Sequence, residues 1–194
     1  MELSNTELNI INDKEFLLKK IVVIKKIQKL FEILQRDLKG IVDSSEFIFH
    51  ENVDVKYGKI FKGEDYKNLP YVVLDYPKLY SKENIFTFRT MFWWGNFYSS
   101  TFHLQGEIFN ELKSKTIKNL QTSSFSNLYI CVNKTPWEYH YNDSNYILLT
   151  SENISKIDQL PFLKLSKKFD LDNYQILNEK AKLFLDFVLN TLLK

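Results

Sequence analysis

Two β-rich runs, residues 85–94 and 97–105, are separated only by Gly95-Asn96, and no other part of the chain restricts the fold as tightly. A two-residue link that begins with glycine signals a tight hairpin, because glycine adopts the positive φ of the first turn position without steric cost. With Trp94 opposite Phe97, Phe92 is expected against Ser99, Thr90 against Thr101 and Phe88 against His103. Side chains alternate between the faces of a sheet, so one face should carry Phe88, Thr90, Phe92, Ser99, Thr101 and His103. The other should carry Arg89, Met91, Trp93, Ser100 and Phe102. Neither face is polar enough to lie open to water, so both are expected to be covered.

The rest of the chain supplies the cover. Ile24, Ile27, Phe31, Leu34, Leu38 and Ile41 are spaced 3-4-3-4-3 and predict one long amphipathic helix over residues 14–41. Residues 1–13 are read as a flexible or loosely attached segment. Val53, Val55 and Tyr57 alternate with polar residues as in a half-buried strand, and residues 63–69 read as a polar turn. Tyr71-Val72-Val73-Leu74 is a buried strand stopped by Pro77. After Gly106 come a helix over 107–120, a strand over 128–132 and a second hairpin pairing 137–141 with 146–150. A short helix is expected from Ser151 to about residue 157, and a carboxyl-terminal helix carries Leu177, Ala181, Phe184, Val188 and Leu192 on one face. This order predicts an α+β fold. Residues 1–194 form a single domain, with a mainly antiparallel sheet packed against a long N-terminal, a middle and a C-terminal helix.

Composition removes several chemistries. Five glycines leave no dinucleotide-binding loop, and Gly58 and Gly63, though spaced like a phosphate loop, precede Glu64-Asp65 where Lys-Ser/Thr is needed. One cysteine, Cys131, excludes a disulfide framework and a thiolate zinc cage. The three histidines, His50, His103 and His140, have no metal-ligand spacing, so neither a metal nor a cofactor is expected. A net charge of +2 names no polyanionic partner, which makes nucleic acid an unfavoured one. No apolar run is long enough for a membrane span, and the polar start lacks the features of a secretory signal. A cytoplasmic protein with a reduced Cys131 is the expectation. Residues 69–96 are similar in character to stretches of small bacterial proteins but match no family of known activity, so the resemblance implies no function.

What remains is a set of polar residues among aromatics. His103 with Thr90, Ser99, Thr101, Phe88 and Phe92 describes either a small pocket or a filled core face. Arg89 lies mid-strand, where its guanidinium requires a partner, and Asp75 is the nearest by layout. That pair is either a structural ion pair or a grip for a carboxylate or phosphate. Trp137 and Tyr139 share one face of an extended segment with His140 on the other, a stacking surface or more core. The reading favoured here is a non-catalytic binding or interaction module using an aromatic-rich sheet face or groove, with a protein partner or a second copy of the chain. The alternative is an enzyme or ligand sensor that binds a small anionic or aromatic ligand through Arg89 or His103.

Overall fold

The computed structural model describes residues 2–194. Ser4 and Glu7 close a reciprocal capping box at the start of α1 (Asn5–Asn12): Glu7 N–H donates to Ser4 Oγ and Ser4 N–H to Glu7 Oε2. Asp13 ends α1 and begins α2 (Lys14–Ser44), its carboxylate accepting from Phe16 N–H at 2.8 Å. Ile24, Ile27, Phe31, Leu34, Leu38 and Val42 form the buried seam of α2, so the expected periodicity is real but ends on Val42 rather than Ile41. Phe31, Leu34 and Leu38 are fully buried, each worth about 1.5–3 kcal/mol of apolar transfer.

Seven strands form one sheet in the order β1-β2-β3-β4-β7-β5-β6, every neighbouring pair antiparallel. They are β1 (Lys59–Tyr66), β2 (Leu69–Tyr80), β3 (Ile85–Trp93), β4 (Phe97–Gln105), β5 (Tyr129–Cys131), β6 (Tyr146–Leu148) and β7 (Phe162–Phe169). α3 (Glu107–Thr122) follows β4, and α4 (Tyr174–Phe187) continues as a π-helical turn over Val188–Leu192. α2, α3 and α4 pack on one sheet face, where Leu74, Phe88, Phe102 and Leu165 meet Phe31, Phe109 and Phe184 in one core. The fold is α+β with a mainly antiparallel sheet, as expected. No helix among the described residues is long and apolar enough to cross a membrane.

Four local expectations are corrected. Residues 53–57 form a loop with a single bridge, Asp54 to Lys78, and the strand lies further on, across the segment read as a turn. Residues 137–141 are not a strand, since β6 pairs with β5 instead. The short helix is a 3-10 helix over Ile154–Gln159, and β7, which no apolar alternation announced clearly, occupies Phe162–Phe169. Residues 5–12, within the segment expected to be flexible or loosely attached, form a helix that buries none of its residues, as loose attachment allows.

The fourth correction reaches the site. The link between β3 and β4 is three residues, Trp94-Gly95-Asn96, with Trp93 opposite Phe97. Asn96 N–H donates to Trp93 O at 3.0 Å, and Gly95 takes φ +69° at the third turn position, where a positive φ favours glycine. A one-residue change in register exchanges the faces of every side chain on one strand. Arg89 is therefore opposite Thr101, Thr90 opposite Ser100, and Thr87 opposite His103. The expected grouping of His103, Thr101 and Ser99 with Phe88, Thr90 and Phe92 does not exist.

Candidate functional site

Phe88, Thr90 and Phe92 lie on the helix-covered face, and Ser99, Thr101 and His103 lie on the opposite face with Arg89. Thr90 is filled in by its bond to Ser100 (3.3 Å), and Phe88 packs on Phe184. Thr90 and Phe88 are fully buried there and Phe92 nearly so. The second face is covered by the irregular segment 133–145, and it is here that most of the buried polar groups collect.

Asp75 and Arg89 are cross-strand partners on β2 and β3. Arg89 Nε donates to Asp75 Oδ1 and Nη2 to Oδ2, both at 2.7 Å, a bidentate pair with side chains 13% and 3% exposed. Nη2 also donates to Tyr80 OH at 3.0 Å, and Nη1 to Tyr139 OH at 2.5 Å. The guanidinium carbon stands 5.1 Å from the Tyr139 ring centre and 5.6 Å from that of Phe61. Four of the five guanidinium N–H groups are thus occupied by this chain. Burial disfavours the cation, but Asp75, Tyr139 and Tyr80 together outweigh it and lift the Arg89 pKa above its ordinary value. The same burial raises the Tyr80 and Tyr139 hydroxyl pKa values.

His103 shares this face but makes no hydrogen bond to Arg89. Its ring meets Trp137 and Phe162 edge-on, and its Nε2 is buried without a partner. Burial, then the charge of Lys164, lowers its pKa to about 3, so the ring is neutral at physiological pH. Lys164, opposite His103 on β7, is fully buried. Its ammonium donates to Pro136 O (2.6 Å) and Glu138 O (2.5 Å) and lies 3.8 Å from the Tyr139 ring centre. Burial lowers its pKa to about 7.

These bonds tie the 133–145 segment to the sheet. Tyr66 OH accepts from the N–H groups of Tyr139 (2.7 Å) and His140 (3.1 Å) and donates to Glu138 Oε2 (3.0 Å). Tyr139 is seated on Arg89, whereas Trp137 is half exposed and His140 lies 3.4 Å from Glu138. Thr101 Oγ1 bonds Ser166 Oγ at 2.7 Å, and Ser166 bonds Tyr141 OH in turn. The structure thus joins Asp75, Arg89 and Tyr139, keeps His103 apart in a sealed position, and sends Phe88, Thr90 and Phe92 to the other face.

Beside the Arg89–Asp75 pair a cleft of about 510 Å³ opens to solvent. Phe61, Leu79 and Tyr80 form its walls, and Asn52, Lys59 and Lys78 its rim. Lys78 is engaged by Asp54 at 2.6 Å and by Tyr57 O. Lys59 is exposed, near the Phe61 ring, and has no carboxylate partner among the described residues. Sequence reasoning missed Lys59, Tyr80 and Lys164. A strand over 59–66 would have revealed Lys59, by placing it on the same face as Phe61 and opposite Asp75. No group of three or more His, Cys, Asp or Glu side chains among the described residues is arranged to hold a metal ion. No family model matches the chain, and no curated protein and no solved structure shows significant similarity to it.

Proposed function

We propose that the protein is a non-catalytic binding module, and that the cleft over Arg89 takes a small anion with an aromatic or other apolar body. The observation that carries the reading is Lys59, a cation without a carboxylate partner among the described residues, at the mouth of a cleft walled by Phe61 and Tyr80. Arg89 builds the floor and keeps one N–H for a ligand, but Asp75 has already neutralised its charge. Lys59 therefore supplies the net attraction and the rings supply the area. The aromatic-rich sheet face itself is largely occupied by residues 133–145, which favours a groove over an open face. The side chains around the cleft include no nucleophile bonded to a base; Tyr80 and Arg89 in its lining hold their protons more tightly than usual, and the two bases whose proton affinity falls strongly, His103 and Lys164, lie outside it. A cytoplasmic location, with Cys131 reduced, belongs to the same reading, since its thiol is buried and unpaired.

Isothermal titration with benzoate and with adenosine monophosphate tests it. Saturable binding of either, weakened at least about tenfold by Lys59→Ala and also by Phe61→Ala, supports the cleft. Each ligand should be recovered chemically unchanged after prolonged incubation. Binding indifferent to both substitutions contradicts the site, and turnover of a ligand favours the enzymatic alternative.

A further inference from the structure

α1 and the first turns of α2 pack into no part of the core, yet they are apolar. Leu8, Ile10 and Ile11 on α1 and Phe16, Leu17, Leu18, Ile21 and Val22 on α2 are each 42–61% exposed. Large apolar side chains about half exposed along one arm mark an interaction surface rather than a free one.

Charge along this arm is segregated. Residues 2–15 carry Glu2, Glu7, Asp13 and Glu15 against the single Lys14, whereas residues 16–30 carry Lys19, Lys20, Lys25, Lys26 and Lys29 and no carboxylate. Such a pattern complements itself when two copies run antiparallel. Where the arm leaves the domain, α2 and the edge strand β1 enclose a groove of about 390 Å³, with Leu17, Ile21 and Ile24 on its wall and Lys25 and Lys62 among its basic residues. The chain's own α1 cannot double back into it. Asp13 alone joins α1 to α2, and an antiparallel helical hairpin needs a loop of about 2–5 residues.

We propose that this groove takes α1 of a second copy of the chain, the two arms running antiparallel about a twofold axis near Phe16. In that arrangement Leu8 of the partner subunit lies against Ile24, Ile11 of the partner subunit against Ile21, and Glu7 of the partner subunit beside Lys25. Lys25 has no carboxylate partner among the described residues, and the capping bonds of Glu7 use only Oε2. The contact is isologous and closes at two copies. It is independent of the ligand cleft, which shares no lining residue with the groove.

Sedimentation equilibrium of the full chain at micromolar concentration is expected to give the dimer mass. Leu8→Ser/Ile11→Ser changes residues outside the core, so the chain should keep its folded circular dichroism spectrum while the dimer dissociation constant rises at least about tenfold. Lys25→Glu places like charges together and should also raise it about tenfold. Ile48→Ser, at a 90% exposed site elsewhere, should leave it unchanged. A monomeric wild type overturns the proposal, as does a dimer indifferent to Leu8→Ser/Ile11→Ser. A monomer that co-sediments with phosphatidylserine vesicles assigns the arm to a lipid surface instead.

Discussion

Arg89 stands directly opposite Thr101 across β3 and β4, and Asp75 flanks it from β2. That alignment puts Arg89, His103 and Lys164 on the face away from the helices, beneath Trp137 and Tyr139. It gives the sheet two unlike sides, one apolar and helix-covered, the other threaded with buried polar groups and opening into a cleft at one end.

The Arg89–Asp75 pair is expected to hold the floor of the cleft together. Arg89→Met leaves the Asp75 carboxylate buried without its cation and should cost about 3–5 kcal/mol in urea unfolding. Asp75→Asn combined with Arg89→Met should recover a good part of the loss, because no uncompensated charge remains. Equal destabilisation in the single and double variants would contradict a charge-pair origin.

His103 should impose an acid limit on stability. Its pKa is about 3 in the folded chain against an ordinary 6.5, so only the unfolded chain takes up this proton in between. Stability from this group is complete above pH 6.5 and declines as pH falls towards about 3. His103→Phe removes the titration and the unpaired Nε2 together. Urea denaturation across this range should show the wild type losing ground to the variant as pH falls, and parallel curves would refute the assignment.

Lys164 acts over a different range. The folded chain releases its proton near pH 7, whereas the unfolded chain holds it to about 10.5, so this group makes the fold more stable as pH rises between them. Lys164→Met strands two carbonyls, those of Pro136 and Glu138, and should cost about 1–3 kcal/mol. The cost should grow from pH 7 to 10. A pH-independent difference would mean that the lysine is not protected from solvent.

Tyr66→Phe is expected to loosen the segment above the site without unfolding the helical core. Three hydrogen bonds are lost, and the N–H groups of Tyr139 and His140 lose their acceptor, for a total of about 2 kcal/mol. Hydrogen exchange should accelerate in residues 133–145 while α2 and α4 stay protected. Uniform acceleration would indicate that the segment unfolds only with the whole domain.

The helices and the fold class could be read from the sequence because their apolar spacing is regular: the buried residues of α2 were foreseen from Ile24 to Leu38. Strand β1 could not be, since it lies at the sheet edge, Lys59, Lys62 and Glu64 are exposed, and its second half, from Gly63, reads as a polar turn. β7 hid behind Lys164, a lysine whose burial no local pattern announces. The Asp75–Arg89 pairing was legible because both residues sit in strong apolar strands joined by a short link. The facing of β4 turned on whether the reversal held two residues or three, and Trp94, as apolar as the strand before it, gave no sign that it belonged to the turn.

The most direct measurement is the pattern of cross-strand nuclear Overhauser effects between β3 and β4 in a uniformly labelled sample. Backbone contacts between Arg89 and Thr101 and between Thr87 and His103 are the expected result. Contacts from Thr101 to Thr90 and from His103 to Phe88 would return Arg89 and His103 to opposite faces and dismantle the site described here.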